Sequence, residues 1–267
     1  QDSTLVGVIY VDSKKASRVF GKPDLDLLGG IAGQVAVAIE NAILFENIQK
    51  EERYRNNLQR FLGPNLVERI LQEEQISLGG TTRNVTILFS DIRNFTFLSA
   101  NQDSKAMFEQ LNDYFGVMTK AIFKYHGTLD KYIGDGIMAI FGAPIELEDH
   151  AYCAIQTAIE MKRNLRELNA QWEKEGKVPY NIGIGICTGD AVVGNVGSSE
   201  RMDYTAIGPP VNLANRIESL TKKADCNLLI SESTYECVKG RVNTKCYKPV
   251  SVKGFTEPIL VYGVLDE

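Results

Sequence analysis

Hydrophobic and polar positions divide the chain into segments with two distinct periods. In residues 84–96 (NVTILFSDIRNFT) an apolar run from Val85 to Phe89 ends at Asp91 and passes at once into a helix-like stretch. Val85, Ile87 and Phe89 alternate with Thr86 and Leu88, which predicts a largely buried strand. In residues 129–141 (LDKYIGDGIMAIF) two short apolar segments flank Gly134-Asp135-Gly136. Asp-Gly between such runs predicts a hairpin. Residues 105–125 place Met107, Phe108, Leu111, Tyr114, Phe115 and Met118 at helical spacing, so those aromatics are expected in the core of an amphipathic helix. Residues 149–172 predict a second helix, with Ala151, Ala154, Ile155, Ala158, Ile159 and Met161 on its buried side. A strand is expected at 181–187, followed by a turn at Gly189-Asp190 into 191–196.

This order of strand, helix, two strands, helix, strand is the ferredoxin-like βαββαβ arrangement, and the fold class is therefore α+β. Beyond it the pattern predicts a loop at 197–202, a strand at 203–207, a helix at 209–221, and extra C-terminal strands near 227–231, 245–253 and 258–264. Upstream, residues 4–11 (TLVGVIYV) read as a strand and 12–22 as a polar loop. Pro23 opens a long helix whose Leu28, Ala32, Val35, Ile39 and Ala42 recur at gaps of four and three, a heptad-like seam that predicts a coiled coil. Past Phe45 the helix becomes highly charged, as in a connector or a dimer coil. Gly63-Pro64 interrupts it, residues 65–73 form a short second helix, and Gly79-Gly80 is expected to end the connector.

With 267 residues, 44% hydrophobic and 24% charged, the chain has ordinary globular composition. A net charge of −5 argues against a nucleic-acid partner, which requires a basic face. The five cysteines are scattered and never CxxC, and the two histidines share no ligand spacing with them. They read as reduced cysteines of a cytoplasmic protein rather than as a disulfide frame or a zinc site. The most apolar window, 31–45, carries Gln34, Glu40 and Asn41 and is expected to be too short to span a bilayer. Membrane attachment further upstream stays open.

Two carboxylates carry the candidate chemistry. Asp91 at a strand end either caps the next helix or faces a site, and Asp135 at a hairpin tip is either an ordinary turn residue or a ligand. Side by side in one sheet they would hold a divalent cation such as Mg²⁺, which keeps waters and substrate phosphates in its shell. In residues 203–220 (DYTAIGPPVNLANRIESL), Pro209-Pro210 open a helix on which Asn212 and Arg216 share a face, with Asn215 out of phase. That face is either a surface, with Arg216 paired to a nearby acid, or part of the site.

FSDIRNFT followed by DKYIGDG resembles the catalytic core of class III nucleotidyl cyclases, and the resemblance runs from about residue 61 to the C-terminus. It implies a cyclase catalytic domain at 81–267, and a helical linker with a transducer element (FLGPNLVERIL) at 46–80. Residues 1–45 resemble the C-terminal end of a GAF-like sensor domain. The resemblance implies two Mg²⁺ ions per site, with Mn²⁺ able to substitute, bound by Asp91, Asp135 and the Ile92 carbonyl. It makes Asn212 the residue that orients the ribose and Arg216 the one that meets the phosphoryl group in the transition state. Lys131 and Thr205 are implied in base recognition, and Lys253 in triphosphate contact. A Lys/Thr pair is one of the variants found in bacterial adenylate cyclases, where the second residue is Asp or Thr, and Lys can donate to adenine N1 but cannot accept from guanine N1–H. In this family the metal aspartates and the Asn/Arg pair come from different subunits, so a homodimer with two composite sites is implied. The expected activity is a phosphorus–oxygen lyase converting ATP to 3′,5′-cyclic AMP and pyrophosphate, under an upstream sensor. The alternatives are a guanylate or dual-specificity cyclase, and a silent nucleotide-binding or dimerisation module.

Overall fold

The computed structural model describes residues 5–12, 14, 20–72, 78–100, 102–198, 200–251 and 257–265, with backbone alone at 60, 61 and 72. The chain divides into two compact units, Gln1–Phe61 and Leu62–Glu267.

In the first unit α1 (Lys22–Leu62) is a continuous helix of 41 residues, about 60 Å long. Asp24 accepts the Gly21 N–H at 2.9 Å and closes the first turn. Leu25, Leu27, Val37, Leu44 and Phe45 are all exposed, so apolar side chains circle much of the helix instead of forming one stripe. Within the expected seam, Leu28 and Ala32 are half-buried while Val35 and Ile39 lie open. By length and composition alone the helix is apolar enough to cross a membrane: an 18-residue window within Lys22–Gln59 has a mean hydropathy of 1.6. The expectation from residues 31–45 is corrected here, because the helix continues well past that window on both sides.

The strand expected at 4–11 does not form across its described residues, 5–11, and Leu5, Val8 and Tyr10 are exposed. Alternating apolar residues make a strand only when a neighbour takes up the backbone N–H and C=O groups. No described strand is paired with these residues.

The second unit is built on an eight-stranded sheet. Its core strands are β1 (Gly79–Ile92), β2 (Thr128–Ile133), β3 (Gly136–Phe141) and β4 (Ile182–Gly197). They are joined by α3 (Phe95–Ala100), α4 (Ser104–Lys124) and α5 (His150–Lys174). The remainder is β5 (Met202–Ile207), α6 (Pro209–Leu220), β6 (Leu228–Ser231), α7 (Glu232–Val238), β7 (Thr244–Cys246) and β8 (Val261–Val264), with α2 (Pro64–Gln72) at the start of the unit. The order β2-β3-β1-β4-β6-β8-β7, with β5 beside the outer half of β4, places the expected ferredoxin-like core at one end and the extra strands at the other.

Val85 to Ser90 are buried without exception, as a strand covered on both faces must be. Leu88 and Ile92 face the core under α4 and α5, while Val85, Ile87 and Phe89 face Ala214 and Ile217 of α6. Each such fully buried side chain contributes about 1.5–3 kcal/mol. Tyr114 and Met118 of α4 are buried as expected, but Phe108 is exposed, because it lies off the seam that Leu111, Tyr114 and Met118 define.

Three further expectations change. Gly79 and Gly80 open β1 rather than ending a connector. They pair with Asn195 and Gly194, where a Cβ on Gly194 would lie 2.1 Å from the Gly79 carbonyl oxygen. Gly189-Asp190 is no turn: β4 runs unbroken, and Gly189 leaves room for Pro210, whose Cγ would be 2.9 Å from a Cβ there. The expected strand at 245–253 is shorter, with β7 followed only by a Val250–Ile259 bridge among its described residues. The sequence patterns also omit α7, a seven-residue helix too short for a periodic signal and capped by Ser231 Oγ on the Thr234 N–H.

Candidate active site

Pairing on both sides holds the end of β1: Ser90 lies opposite Ile137 of β3, and Asp91 opposite Gly183 of β4. Two residues, Gly134 and Asp135, connect β2 to β3, with Gly134 at φ 64° where only glycine sits without strain. Gly136 lets this tip close in: a Cβ there would lie 3.2 Å from the Ser90 carbonyl oxygen and 3.5 Å from Asp91 Oδ1. The Ile92 N–H donates to Asp135 Oδ2 at 3.2 Å. Burial and the neighbouring Asp91 carboxylate push Asp135 up to about 6. Asp91 is not a helix cap. α3 starts at Phe95, and α4 is capped by Asp103, which accepts from the Lys105 and Ala106 N–H groups.

These residues line a cleft of about 760 Å³, together with the β1–α3 connection and the C-terminal end of α6. Lys222 Nζ stands 3.3 Å from Asp91 Oδ2. Arg93 turns inward: its guanidinium lies 3.5 Å from Glu218 Oε1 and contacts the Thr221 hydroxyl, in space that the absence of a side chain on Gly183 leaves open. Both charges are nearly buried, and losing one would strand the other. Burial, with Asp91's charge next in importance, raises Glu218. Arg93 thus fastens the turn after β1 to α6.

Two carboxylates so close that the charge of Asp91 raises the proton affinity of Asp135 suit a divalent cation, which would relieve their repulsion. No group of three or more His, Cys, Asp or Glu side chains suited to a metal occurs among the described residues. Backbone oxygens, waters and phosphate oxygens would have to complete the shell, as Mg²⁺ commonly requires.

Lys131 and Thr205 meet elsewhere. Asp130 interrupts the β2–β3 register between Leu129 and Lys131, so it escapes the ladder as a bulge residue. Its side chain is fully buried, and Lys131 Nζ lies 3.1 Å from its Oδ1. The sheet curls until Thr205 on β5, 75 residues away, donates its hydroxyl to Asp130 Oδ2 at 2.5 Å. Burial pushes Asp130 up, and the Thr205 hydroxyl and the Lys131 charge pull it back.

Asn212 and Arg216 are both exposed on α6, on the side away from buried Ala214 and Ile217. They do not line the Asp91–Asp135 cleft, and neither do Lys131 and Thr205. The structure therefore brings together Asp91, Ile92 and Asp135, and separately Lys131 and Thr205, with α6 presenting Asn212 and Arg216 outward. Lys253 lies outside the described residues. Asp130, Lys222 and Glu218 escaped the sequence reading, where Arg93, beside Asp91, reads equally as a solvent-facing helix residue and is left out of the site. Nothing local marks the first three beyond Asp130's place next to Lys131, because each depends on a partner from a distant segment.

The profile of the Adenylate and Guanylate cyclase catalytic domain matches residues 79–265. An adenylate cyclase of Anabaena cylindrica is 37% identical over 249 residues, covering 90% of this chain and 48% of the relative. The chain thus spans about half the length of that protein. The crystal structure of the adenylyl cyclase CyaB from P. aeruginosa superposes with a TM-score of 0.67 at 39% identity, covering 71% of this chain and 97% of that one. A guanylyl cyclase crystal structure superposes almost equally, with a TM-score of 0.66 at 39% identity over 70% of this chain and 94% of that one. A profile spanning the whole sheet, together with solved cyclases of the same fold, leaves one assignment: the chain belongs to the adenylate and guanylate cyclase catalytic domain family.

Proposed function

We propose that the chain is the catalytic part of an adenylate cyclase, working as a homodimer and controlled by an upstream sensor. The observation that carries the choice of base is the meeting of Lys131 and Thr205 on Asp130. An ammonium that only donates, beside a hydroxyl whose oxygen can accept, matches adenine N1 and the exocyclic amine. Overall likeness does not separate the two nucleotides, since adenylyl and guanylyl cyclases superpose equally well.

In the reaction the ribose 3′ oxygen attacks the α-phosphorus in line. The new O–P bond forms as the bond to pyrophosphate breaks, and the hydroxyl proton is released. Divalent cations held by Asp91, Asp135 and the Ile92 carbonyl would supply the charge that eases loss of this proton and steadies the leaving group. Asn212 orients the ribose. Arg216 meets the phosphoryl oxygens with a planar, permanently charged fork. Lys253 is assigned to the triphosphate on resemblance alone. Because Asn212 and Arg216 stand apart from the cleft of Asp91 and Asp135, one chain offers two complementary halves, and a two-fold dimer would complete two equivalent sites.

The regulatory part of the reading rests on α1 as a dimer coil and on α2 as the transducer. Asn65 of α2 donates to the His126 and Gly127 carbonyls and to Thr128 at the start of β2, and Arg69 stacks over Tyr204 of β5. α2 thus touches the two strands that carry Asp130, Lys131 and Thr205. The test is cyclic-nucleotide formation from ATP and from GTP with Mg²⁺, beside Asp91→Ala. Cyclic AMP as the main product, lost in the variant, is expected. Preferential cyclic GTP formation would overturn the choice of base.

A further inference from the structure

The hydroxyl of a threonine can donate or accept, so Thr205 by itself does not discriminate between an amine and a carbonyl. Its surroundings in this protein do. The side chain of Asp130 is completely buried, at a bulge in the β2–β3 pairing. An ionised carboxylate only accepts, so the Thr205 hydrogen is committed to Asp130 Oδ2. The ammonium of Lys131 stands 3.1 Å from Oδ1 as an ion pair, with hydrogens free to turn toward a ligand.

We propose that Asp130 is the positioning residue for base selectivity: it takes the Thr205 hydrogen, leaving only oxygen lone pairs toward the base, and fixes the Lys131 ammonium beside them. The resulting edge is one acceptor next to one donor. Adenine answers both, with its amine and its unprotonated N1. Guanine offers a carbonyl and an N1–H, the wrong polarity at each position. This deepens the adenylate cyclase reading above and rests on it.

Replacing Asp130 by Asn keeps the shape and reverses the polarity, because the amide can donate to Thr205 and free its hydrogen to face a guanine carbonyl. Asp130→Asn is expected to lower the ATP-to-GTP ratio of kcat/KM by more than threefold, and by about tenfold at the centre of the range. Binding of 3′-deoxy-ATP and 3′-deoxy-GTP, which lack the attacking hydroxyl, should shift in the same direction by calorimetry. In Asp130→Asn/Thr205→Asp a carboxylate at position 205 accepts from both the amide and the adenine amine, so the ratio should recover. A ratio that moves less than threefold in Asp130→Asn, even with both activities reduced, would show a structural role only and overturn the proposal. Failure of the double variant to recover any selectivity would overturn it as well.

If Asp130→Asn does not fold, Thr205 variants carry the test with Asp130 intact. Thr205→Ser should preserve the ratio and Thr205→Val should collapse it, and an unchanged ratio in Thr205→Val would sink the idea. Wild-type protein that prefers GTP overturns the adenylate reading before any variant is made. Wild-type protein that prefers ATP, with an unmoved ratio in Asp130→Asn, overturns this inference alone.

Discussion

Lys222 places an ammonium 3.3 Å from Asp91, where Asp91 and Asp135 concentrate negative charge. A cation entering that pair has to displace it. Lys222→Met is therefore expected to tighten Mn²⁺ binding to the nucleotide-free protein about two- to fivefold, the range of a partly exposed ion pair, in a paramagnetic-resonance titration. Weaker Mn²⁺ binding would instead make Lys222 a support for the site. A second residue-scale consequence concerns His150, whose Nδ1 lies 2.7 Å from Thr86 Oγ1, itself 2.7 Å from Thr188 Oγ1. Burial holds its pKa below 6.5, against a smaller opposing effect of Asp149. As pH falls below about 6.5 the unfolded chain takes up a proton that the folded protein resists, so stability is present above that value and lost below it. His150→Gln should flatten the dependence of Tm on pH between about 7 and 5.

At the scale of elements, the contact of β4 with α6 connects the two parts of the proposed site. A Cβ on Gly185 would lie 2.1 Å from the Glu218 nitrogen and 2.4 Å from the Ala214 carbonyl oxygen, both on the α6 backbone. Only glycine admits the helix this closely. α6 carries Asn212 and Arg216 on its outer face, Glu218 on its inner face against Arg93, and Thr221 and Lys222 just beyond its end. Gly185→Ala should push the helix off the sheet and cost about 1–3 kcal/mol in chemical denaturation, the usual penalty of overpacking. Turnover should fall at the same time, because the displaced helix carries residues proposed for both halves. Full activity in a destabilised variant would separate α6 packing from catalysis.

For the molecule as a whole, the proposed dimer predicts complementation. Asp91→Ala and Arg216→Ala should each be inactive alone. Mixed in equal amounts and allowed to exchange, half of the dimers would carry one intact site of two, restoring about a quarter of wild-type activity. A mixture that stays inactive, despite exchange shown by a tagged subunit, would mean that each chain builds its site alone. The net charge of −5 fits an anionic substrate only if positive charge is placed locally, and Lys131 and Arg216 are among the residues proposed to meet the nucleotide.

The period-two run through Val85–Phe89, the Asp-Gly tip at 134–136 and the helical spacing of Leu111, Tyr114 and Met118 were legible because each is encoded within about ten residues of backbone geometry. They were sufficient for the α+β order and for bringing Asp91 and Asp135 to neighbouring strand ends. The same local signals misled where the decisive partner was remote. Gly79-Gly80 and Gly189 look like punctuation, yet serve close approach inside long strands, and residues 5–11 alternate like a strand with no neighbour to pair with. The curl of the sheet alone brings Thr205 to Asp130, and the seating of α6 alone brings Glu218 to Arg93 and Lys222 to Asp91. Local pattern sets which faces are buried. Where side chains from distant segments meet depends on the accumulated twist and packing of the whole sheet, which no short stretch of sequence contains.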